Sequence, residues 1–310
     1  MPNHHWTTEK IPDLNDKVAI ITGANSGIGF ETAKELAKKG AHTILACRSE
    51  KKGMDAAQKI YSELPQASLE PMVLDLSSLK SIHAFAETFK TSHDRLNILI
   101  NNAGLMWAPY GKTEDGFETH FGTNHLGHFA LTGLLIDILS QTPAARVVTV
   151  SSIGHRSGTI DFNNLMYEGG KGYQRQQVYG RSKLANLLFT FELQRHFESI
   201  HANANALAAH PGGSDTNLGR YISDRWYFRL LSSLSKIMTQ SAAMGALPSL
   251  RAATDPTARG GEYYGPDGFM EGRGYPIKVG CSNAAKDVNL AKHLWKVSEE
   301  LTGVAYNRTV

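Results

Sequence analysis

Short apolar runs alternate with amphipathic stretches along most of the chain. Apolar, mostly β-branched runs predict strands at 17–22, 42–47, 69–75, 96–100, 146–151 and 203–209. Apolar residues at helical spacing predict helices at 30–40, 50–63, 78–91, 114–140 and 177–198. This alternation predicts an α/β fold with a doubly wound parallel sheet that is covered by helices on both faces. Pro71 removes a backbone donor, so the third strand is expected at a sheet edge.

The regular pattern indicates one domain over residues 14–310, preceded by an N-terminal extension at 1–13. No repeat, charge run or flexible linker divides the chain. Less regular stretches at about 153–176, 217–240 and 264–282 are expected as insertions at one end of the sheet. Ligands of open α/β sheets bind beyond the carboxyl ends of the strands, so these insertions are predicted to form the substrate walls.

Composition and charge exclude several classes of protein. The 310 residues carry 32 basic and 29 acidic side chains, a balance that argues against nucleic acid. Two cysteines, Cys47 and Cys281, imply neither a disulfide framework nor a zinc site. The N-terminus lacks a secretory signal, and the longest apolar run, 129–139, is shorter than the ~20 residues of a membrane helix. A soluble, cytoplasmic protein without a membrane span is expected.

Histidines are frequent, at 13 in the chain, and raise the question of a metal. His125 and His128 are three residues apart on a predicted helix and could share one face. No third ligand follows from local spacing, so no metal site is expected.

The first predicted strand runs directly into a glycine-rich loop, TGANSGIG (22–29), which leads into the first helix. Glycines in this position allow a tight turn and a close approach of the backbone to a pyrophosphate at the helix N-terminus. The position therefore predicts a dinucleotide site, with an ordinary tight turn as the alternative.

The end of the second predicted strand indicates which dinucleotide binds. An acidic residue there would accept hydrogen bonds from the ribose 2′-hydroxyl of NAD(H), but this chain has Cys47 and Arg48. A guanidinium suits the 2′-phosphate of NADP(H), which is favoured over NAD(H). The alternative is a solvated surface arginine.

Short motifs from about residue 14 onward occur in a characteristic order. They are TGANSGIG (22–29), Asp75-Leu76, NNAG (101–104), NHLGHF (124–129), VSS (150–152), YGRSK (179–183) and HPGG (210–213). In this order they resemble the short-chain dehydrogenase/reductases, which have a Rossmann fold. ILACR, NHLGHF, SKLANLLF and GGEYYGPDG look closest to retinol-dehydrogenase-like bacterial oxidoreductases, and protochlorophyllide reductases are more distant relatives.

The resemblance implies a catalytic tyrosine four residues before a lysine, and the chain offers two such pairs. They are YEGGK at 167–171 and YGRSK at 179–183. Counted from Ser152, Tyr167 lies 15 residues on and Tyr179 lies 27 on, so the short spacing that is usual in the family favours Tyr167.

Local structure favours the second pair. Gly169 and Gly170 each disfavour a helix by about 1 kcal/mol relative to alanine. The run that starts at Tyr179 is amphipathic, so Tyr179 and Lys183 should lie on one helix face. We therefore predict Tyr179 and Lys183 as the catalytic pair, with Tyr167 in an insertion over 156–176.

The resemblance also assigns roles to these residues. Tyr179 would exchange a proton with the substrate oxygen, Ser152 would hydrogen-bond that oxygen, and Lys183 would lower the tyrosine pKa and hold the nicotinamide ribose. Ser151 would point to the other side of the strand end. Asn124 matches the family asparagine that holds a water near the lysine, although a simple mid-helix hydrogen bond explains it equally. The implied cofactor contacts are Gly23, Asn25, Ser26, Gly27, Ile28, Gly29, Arg48, Asp75, Leu76, Asn102, Ala103, Gly104, Tyr179, Lys183, Pro211, Gly212 and Thr216.

The aromatic, amphipathic stretch 221–238 has three interpretations: a lid over the substrate, a core helix or a membrane-surface helix. As a lid, it would place Trp226, Tyr227 and Phe228 over the substrate, which would indicate a hydrophobic carbonyl compound or alcohol.

Together these observations predict an NADP(H)-dependent oxidoreductase, a carbonyl reductase or alcohol dehydrogenase that transfers hydride between nicotinamide and a ketone or aldehyde. One alternative is a carbon–carbon double-bond reductase of the protochlorophyllide-reductase type. The other is a non-catalytic NADP(H)-sensing protein. A homo-oligomer is left open.

Overall fold

Eight strands form one sheet in the computed structural model, which describes residues 5–213 and 240–306. They are β1 (Val18–Thr22), β2 (His42–Cys47), β3 (Leu69–Val73), β4 (Ile98–Asn101), β5 (Ala145–Val150), β6 (Ala204–Ala209), β7 (Tyr263–Pro266) and β8 (Pro276–Lys278). The sheet order is β3-β2-β1-β4-β5-β6-β7-β8. Neighbouring strands from β3 to β7 are parallel, and β8 is antiparallel to β7. The predicted parallel sheet and the edge position of β3 are confirmed.

Helices connect the parallel strands. They are α1 (Gly27–Lys38), α2 (Glu50–Glu63), α3 (Leu79–Ser92), α4 (Thr119–Phe121), α5 (Gly127–Leu134), α6 (Ile136–Gln141), α7 (Arg175–Ser199), α8 (Ala242–Thr254) and α9 (Val288–Thr302). A π-helical turn, Gly122–Leu126, joins α4 to α5. Within residues 5–213 and 240–306, no helix combines the length and the apolar character needed to cross a membrane.

The hydrophobic core lies on both faces of the sheet. Side chains of α1, α2 and α8 pack on one face, and those of α3, α5, α6 and α7 pack on the other. A third cluster lies between α7 and α9, so α7 is buried on two sides. Burial on both sides explains why α7 has a weak amphipathic pattern along its full length, and it fixes the helix that carries the predicted catalytic pair.

The structure differs from the sequence prediction at the start of the 114–140 helix. Regular helix begins at Thr119, because Gly116 has φ 84° and Lys112 forms an antiparallel bridge with Glu118. The Glu118 carboxylate accepts hydrogen bonds from the backbone N–H groups of His120 and Phe121, at 2.8 Å each. These bonds satisfy amide groups that a helix start leaves free.

Two of the stretches expected outside the regular pattern contribute to the sheet and its core. The insertion predicted at 264–282 contains most of β7 and all of β8, whose short runs lack the alternation that marks longer strands. The predicted extension at 1–13 contributes Trp6 and Ile11 to the core on one face of the sheet. Most of the insertion predicted at 217–240, with the possible lid at 221–238, lies outside the described residues, as does Thr216.

Candidate active site

The glycine loop follows β1 and enters α1 in the conformation that its sequence predicts. Gly23 and Gly27 have φ 69° and 57°, a left-handed region in which other residues are strained. A Cβ on Gly29 would lie 2.5 Å from both the Gly23 carbonyl oxygen and Asn102 Nδ2. The Ser26 side chain makes no capping hydrogen bond, so the first N–H groups of α1 stay available. An uncapped helix N-terminus beside a glycine turn fits a pyrophosphate.

A cleft of about 280 Å³ lies beyond the carboxyl ends of β1, β2, β3 and β4. It lies where the strand order reverses at β1, the usual ligand position in such sheets. Many predicted cofactor residues line it: Gly23, Asn25, Ser26, Gly27, Ile28, Gly29, Arg48, Asp75, Leu76, Asn102, Ala103 and Gly104. The described residues therefore fit an extended dinucleotide, with Arg48 at one end and Gly104 at the other.

Two other predicted cofactor residues lie apart from this cleft lining. Pro211 and Gly212 follow β6, and a Cβ on Gly212 would lie 2.4 Å from the Gly272 carbonyl oxygen. Gln240 Nε2 donates a hydrogen bond to the Pro211 carbonyl oxygen at 2.8 Å. The backbone after β6 is thus fixed against the last loop of the sheet.

Lys52 is a cleft residue that sequence reasoning missed. Arg48 follows β2 directly, and Lys52 lies in the first turn of α2, whose N-cap Ser49 accepts a hydrogen bond from the Lys52 N–H at 3.4 Å. Both side chains are exposed and line the same end of the cleft. The sequence signal that could have identified Lys52 is the N-cap Ser49 three residues before it, which places Lys52 in the first helical turn beside the end of β2.

Thr22, also missed, organises the centre of the cleft. Its buried hydroxyl accepts hydrogen bonds from the N–H groups of Asn102 and Ala103, at 2.9 Å each. His128 Nδ1 donates to the Asn124 carbonyl oxygen at 3.0 Å, so its Nε2 accepts from Thr22 at 2.9 Å. This chain of hydrogen bonds fixes the backbone after β4.

The two histidines considered for a metal are engaged in the protein interior. Burial lowers the pKa of His125 to about 3 and that of His128 to about 4, so both are neutral at physiological pH. His125 Nε2 is 3.0 Å from Ser298 Oγ, and His128 bonds Thr22. Their role here is packing and hydrogen bonding within the core.

The predicted catalytic residues come together beside the Gly104 end of the cleft. Tyr179 and Lys183 lie one turn apart on α7, and Ser152 follows β5 and hydrogen-bonds Tyr179. Lys183 Nζ donates to the Val150 carbonyl oxygen at 2.9 Å. A Cβ on Gly104 would lie 3.7 Å from Lys183 Nζ, so this ammonium group borders the backbone that lines the cleft.

Burial determines the protonation states of Tyr179 and Lys183. It raises the pKa of Tyr179, while the hydrogen bond with Ser152 acts in the opposite direction. Burial also lowers the pKa of Lys183 to about 8. The lowering of the tyrosine pKa that was expected from Lys183 is not seen, because Nζ bonds Val150 and lies 5.8 Å from the Tyr179 ring centroid. At neutral pH the tyrosine is a protonated phenol.

The neighbouring serines and Asn124 have distinct contacts. Ser151 Oγ is buried and donates to the Lys183 carbonyl oxygen at 2.8 Å, whereas Ser152 faces the tyrosine. Asn124 Nδ2 donates to Ser182 Oγ at 2.9 Å, and its Oδ1 accepts from the Leu105 N–H at 2.9 Å. The Asn124 amide therefore ties α7 to the loop after β4, which holds the tyrosine–lysine helix against the cleft.

Tyr167, the tyrosine of YEGGK, makes contacts that stabilise the fold. Tyr167 is buried, and Arg181 lies over its ring with Cζ 4.5 Å from the centroid and Nη2 3.2 Å from its hydroxyl. Arg181 also donates to the carbonyl oxygens of Thr159, Asn164 and Leu165 at 2.8–3.1 Å. Lys171 is exposed. Tyr167 thus anchors the predicted insertion at 153–176 to α7.

Replacing Arg181 by Met should lower the free energy of unfolding by about 3 kcal/mol, because buried acceptors lose their donors. Urea unfolding measures this loss, and limited proteolysis should detect new cleavage within 156–176. Arg175→Met, at an exposed position at the start of α7, is the matched control and should stay within about 0.5 kcal/mol of wild type. Equal effects of the two substitutions would contradict the anchoring role.

The structure also contains a buried polar network that the sequence did not reveal. Tyr173 hydroxyl is 2.9 Å from His120 Nδ1 and 3.1 Å from Glu118 Oε1. His120 Nε2 accepts from the Ala108 N–H at 3.1 Å. The network connects the insertion, the start of α4 and the loop after β4. Ala108, the neighbouring Glu118 and His120, and Tyr173 come from three separate parts of the sequence, so no local signal marks the network.

Comparison with known proteins shows the family to which this chain belongs. The family model for short chain dehydrogenase matches residues 17–225. The chain belongs to the short chain dehydrogenase family. It is thus an oxidoreductase of the kind that uses a nicotinamide cofactor and a small-molecule substrate, in agreement with the cleft and the tyrosine–lysine helix.

Individual relatives cover nearly the whole of this short chain dehydrogenase. Retinol dehydrogenase 12 of Mus musculus is 44% identical over 292 residues, which cover 94% of this chain and 87% of that protein. WW domain-containing oxidoreductase of Gallus gallus is 42% identical, with coverage of 93% and 69%. A crystal structure of a protein from Mycobacterium paratuberculosis has a TM-score of 0.82 and 39% identity, with coverage of 98% and 100%. The predicted relationship to retinol dehydrogenases is confirmed.

Proposed function

We propose that this protein is an NADP(H)-dependent carbonyl reductase that acts on apolar ketones or aldehydes and, in reverse, oxidises the corresponding alcohols. The observation that carries the proposal is the grouping of Tyr179, Ser152 and Lys183 beside the Gly104 end of the dinucleotide cleft. A phenol, a hydroxyl and an ammonium group at one point can donate protons and hydrogen bonds to a carbonyl oxygen.

Tyr179, Ser152 and Lys183 each have a separate role in the proposed carbonyl reduction. A bound nicotinamide cofactor supplies or accepts the hydride. Tyr179, held protonated by burial, is suited to donate its phenolic proton to the carbonyl oxygen during reduction. Ser152 Oγ is placed to hydrogen-bond the same oxygen as negative charge develops on it. Lys183, still largely protonated at neutral pH, stabilises that charge through its ammonium group.

Two observations support an apolar substrate. Leu105, Met106 and Trp107 follow the cleft backbone after β4 and are only partly buried, so apolar surface borders the site. Retinol, which names the mouse relative, is an apolar alcohol. The substrate proposed is therefore a hydrophobic aldehyde or ketone, with a retinoid as the first candidate.

The preference for NADP(H) rests on charge at one end of the cleft. Arg48 and Lys52 are both exposed there and can bind a 2′-phosphate directly. The two residues at the end of β2, Cys47 and Arg48, offer no carboxylate to accept hydrogen bonds from a free ribose 2′-hydroxyl.

The first test is NADPH oxidation by the purified protein with all-trans-retinal and a series of shorter apolar aldehydes and ketones. Formation of the alcohol, identified by chromatography, is the expected result. A product with a saturated carbon–carbon bond would replace the proposal with the double-bond reductase. NADPH binding without turnover across the series would replace it with the non-catalytic cofactor-sensing protein.

Replacing Arg48 by Asp should lower kcat/KM for NADPH by about a hundredfold and change the value for NADH by less than about threefold. The reason is loss of a charge-assisted bond to the 2′-phosphate and gain of a repulsive charge. Steady-state kinetics with each cofactor measures the change. Lys51→Asp makes the same change of charge three residues further on, at an exposed position outside the cleft lining, and it should leave the ratio of the two kcat/KM values unchanged. An equal loss with both cofactors in Arg48→Asp would refute the 2′-phosphate role.

A further inference from the structure

A cluster of three potential metal ligands lies away from the cleft, at the amino ends of the strands, whereas the cleft lies beyond their carboxyl ends. His42 is the first residue of β2, Glu70 is the second of β3, and His93 follows the last residue of α3. Glu70 is paired with Ile44, two residues after His42, so both side chains lie on the sheet face that α3 covers. The three residues join the amino ends of two strands to the end of the helix packed on them.

The donor atoms are close enough to share one ion. His42 Nε2 is 3.1 Å and His93 Nε2 is 3.4 Å from Glu70 Oε2. All three donor atoms lie within 4.8 Å of one another. Ligands about 2.0–2.2 Å from a tetrahedral Zn²⁺ are about 3.4 Å apart, so small side-chain rotations complete the set.

The hydrogen bonds behind the cluster orient both imidazoles toward its centre. His93 Nδ1 is 3.3 Å from the Phe89 carbonyl oxygen, which can only accept, so Nδ1 carries the proton. In the neutral imidazole, Nε2 then presents a lone pair to the Glu70 carboxylate, an arrangement that needs a cation between them. His42 Nδ1 is 2.7 Å from Ser68 Oγ. When this hydroxyl accepts the hydrogen bond, the proton of His42 also lies on Nδ1 and the lone pair of Nε2 faces Glu70. Such backbone and hydroxyl partners are typical of metal-binding histidines.

We propose that His42, Glu70 and His93 bind a divalent transition-metal ion of the Zn²⁺ class. Two imidazole nitrogens and a carboxylate oxygen form a common zinc ligand set. The side chains of His42 and Glu70 are 32% and 36% exposed, which leaves the remaining coordination position open to water. The ion stabilises the free edge of the sheet by linking β2, β3 and α3, and it takes no part in the reaction at the opposite ends of the strands.

The test uses tag-free full-length protein, freed of metal with a chelator, in a mildly alkaline buffer that keeps histidines neutral. Titration with Co²⁺, followed by visible absorption, and with Zn²⁺, followed by calorimetry, should give one ion per chain. At Zn²⁺ about a hundredfold above Kd, the melting temperature should rise by about 4 °C. NADPH turnover should be the same with and without the ion.

Variants separate this site from the other histidines of the chain. Glu70→Gln keeps the shape of the side chain and an oxygen that can accept a hydrogen bond, but it removes the carboxylate charge. It should weaken Zn²⁺ binding at least about tenfold, and His93→Gln should do the same. His83→Gln, exposed on α3, and His5→Gln, near Asp267, are controls that should bind as wild type does. Unchanged turnover in each variant shows that it is folded. Absence of stoichiometric binding in wild type, or full binding in Glu70→Gln and His93→Gln, would overturn the proposal.

Discussion

Replacing Tyr179 by Phe should lower kcat for carbonyl reduction by about a hundredfold to ten-thousandfold, the range that a positioned proton donor supplies. The substitution removes only the phenolic hydroxyl, which hydrogen-bonds Ser152, and it keeps the ring in its place on α7. The affinity for NADPH should change little, because the ring and Lys183 stay. Single-turnover reduction of the best substrate, together with NADPH binding by fluorescence, measures the two quantities separately.

The matched control is Tyr167→Phe, in the other tyrosine–lysine pair. Its hydroxyl accepts a hydrogen bond from Arg181 and lies in the anchor of the insertion, so the substitution should reduce stability by about 1 kcal/mol and keep most of the turnover. A loss of turnover in Tyr167→Phe that matched the loss in Tyr179→Phe would show that chemistry had been assigned to the wrong pair.

Replacing Lys183 by Met should abolish most of the turnover and, at the same time, stabilise the protein by about 2 kcal/mol at neutral pH. Burial holds the lysine pKa at about 8 instead of 10.5, which corresponds to about 3 kcal/mol of unfavourable burial of charge. Loss of the Nζ hydrogen bond to Val150 offsets about 1 kcal/mol. Asn186 Nδ2 also donates to that carbonyl oxygen at 3.0 Å, so it keeps a partner in the variant.

The difference in the free energy of unfolding between Lys183→Met and wild type should depend on pH, because the pKa of Lys183 is lowered in the folded protein. Between pH 8 and 10.5 the unfolded chain holds a proton on Lys183 that the folded chain has released, so wild-type stability rises with pH in this window. The advantage of Lys183→Met is therefore complete below about pH 8 and disappears toward pH 10.5. Urea unfolding across this range measures it. Reduction by wild type should decline as pH rises through about 8, where the ammonium charge is lost.

Lys171→Met, in the exposed lysine of YEGGK, supplies the control for Lys183→Met. It should alter neither turnover nor the free energy of unfolding by a measurable amount. If Lys183→Met were less stable than wild type at neutral pH, the charge would be stabilised in the folded state, contrary to the burial argument.

Much of the fold and of the cleft could be predicted because the signals are local. An apolar run that ends in glycines places β1, the turn and α1 within a dozen residues. The two glycines of YEGGK, against the single glycine of YGRSK, separate the two tyrosine–lysine pairs, although α7 is not the amphipathic helix that was predicted. The raised pKa of Tyr179 was not foreseen. It depends on how fully α7 is covered and on where Lys183 Nζ points, and tertiary packing determines both.

Residues that depend on long-range contacts were missed for the same reason. Thr22 meets Asn102 only because β1 lies beside β4, and Lys52 reaches the cleft only because α2 starts beside Arg48. His42 and His93 are 51 positions apart in the chain and meet through the register of β2 with β3 and the length of α3. No spacing rule on a single sequence recovers such pairs.

The five residues YGRSK have a consequence for attempts to redesign this enzyme. Between the tyrosine and the lysine, Gly180 lets the loop backbone approach the helix closely, because a Cβ on Gly180 would lie 2.8 Å from the Gly154 carbonyl oxygen. Arg181 anchors the insertion, and Ser182 bonds Asn124. Replacing the insertion at 156–176 by that of a relative would therefore fail unless Gly180, Arg181 and Ser182 were replaced with it. The insertion and the helix segment that anchors it would have to be exchanged as one unit.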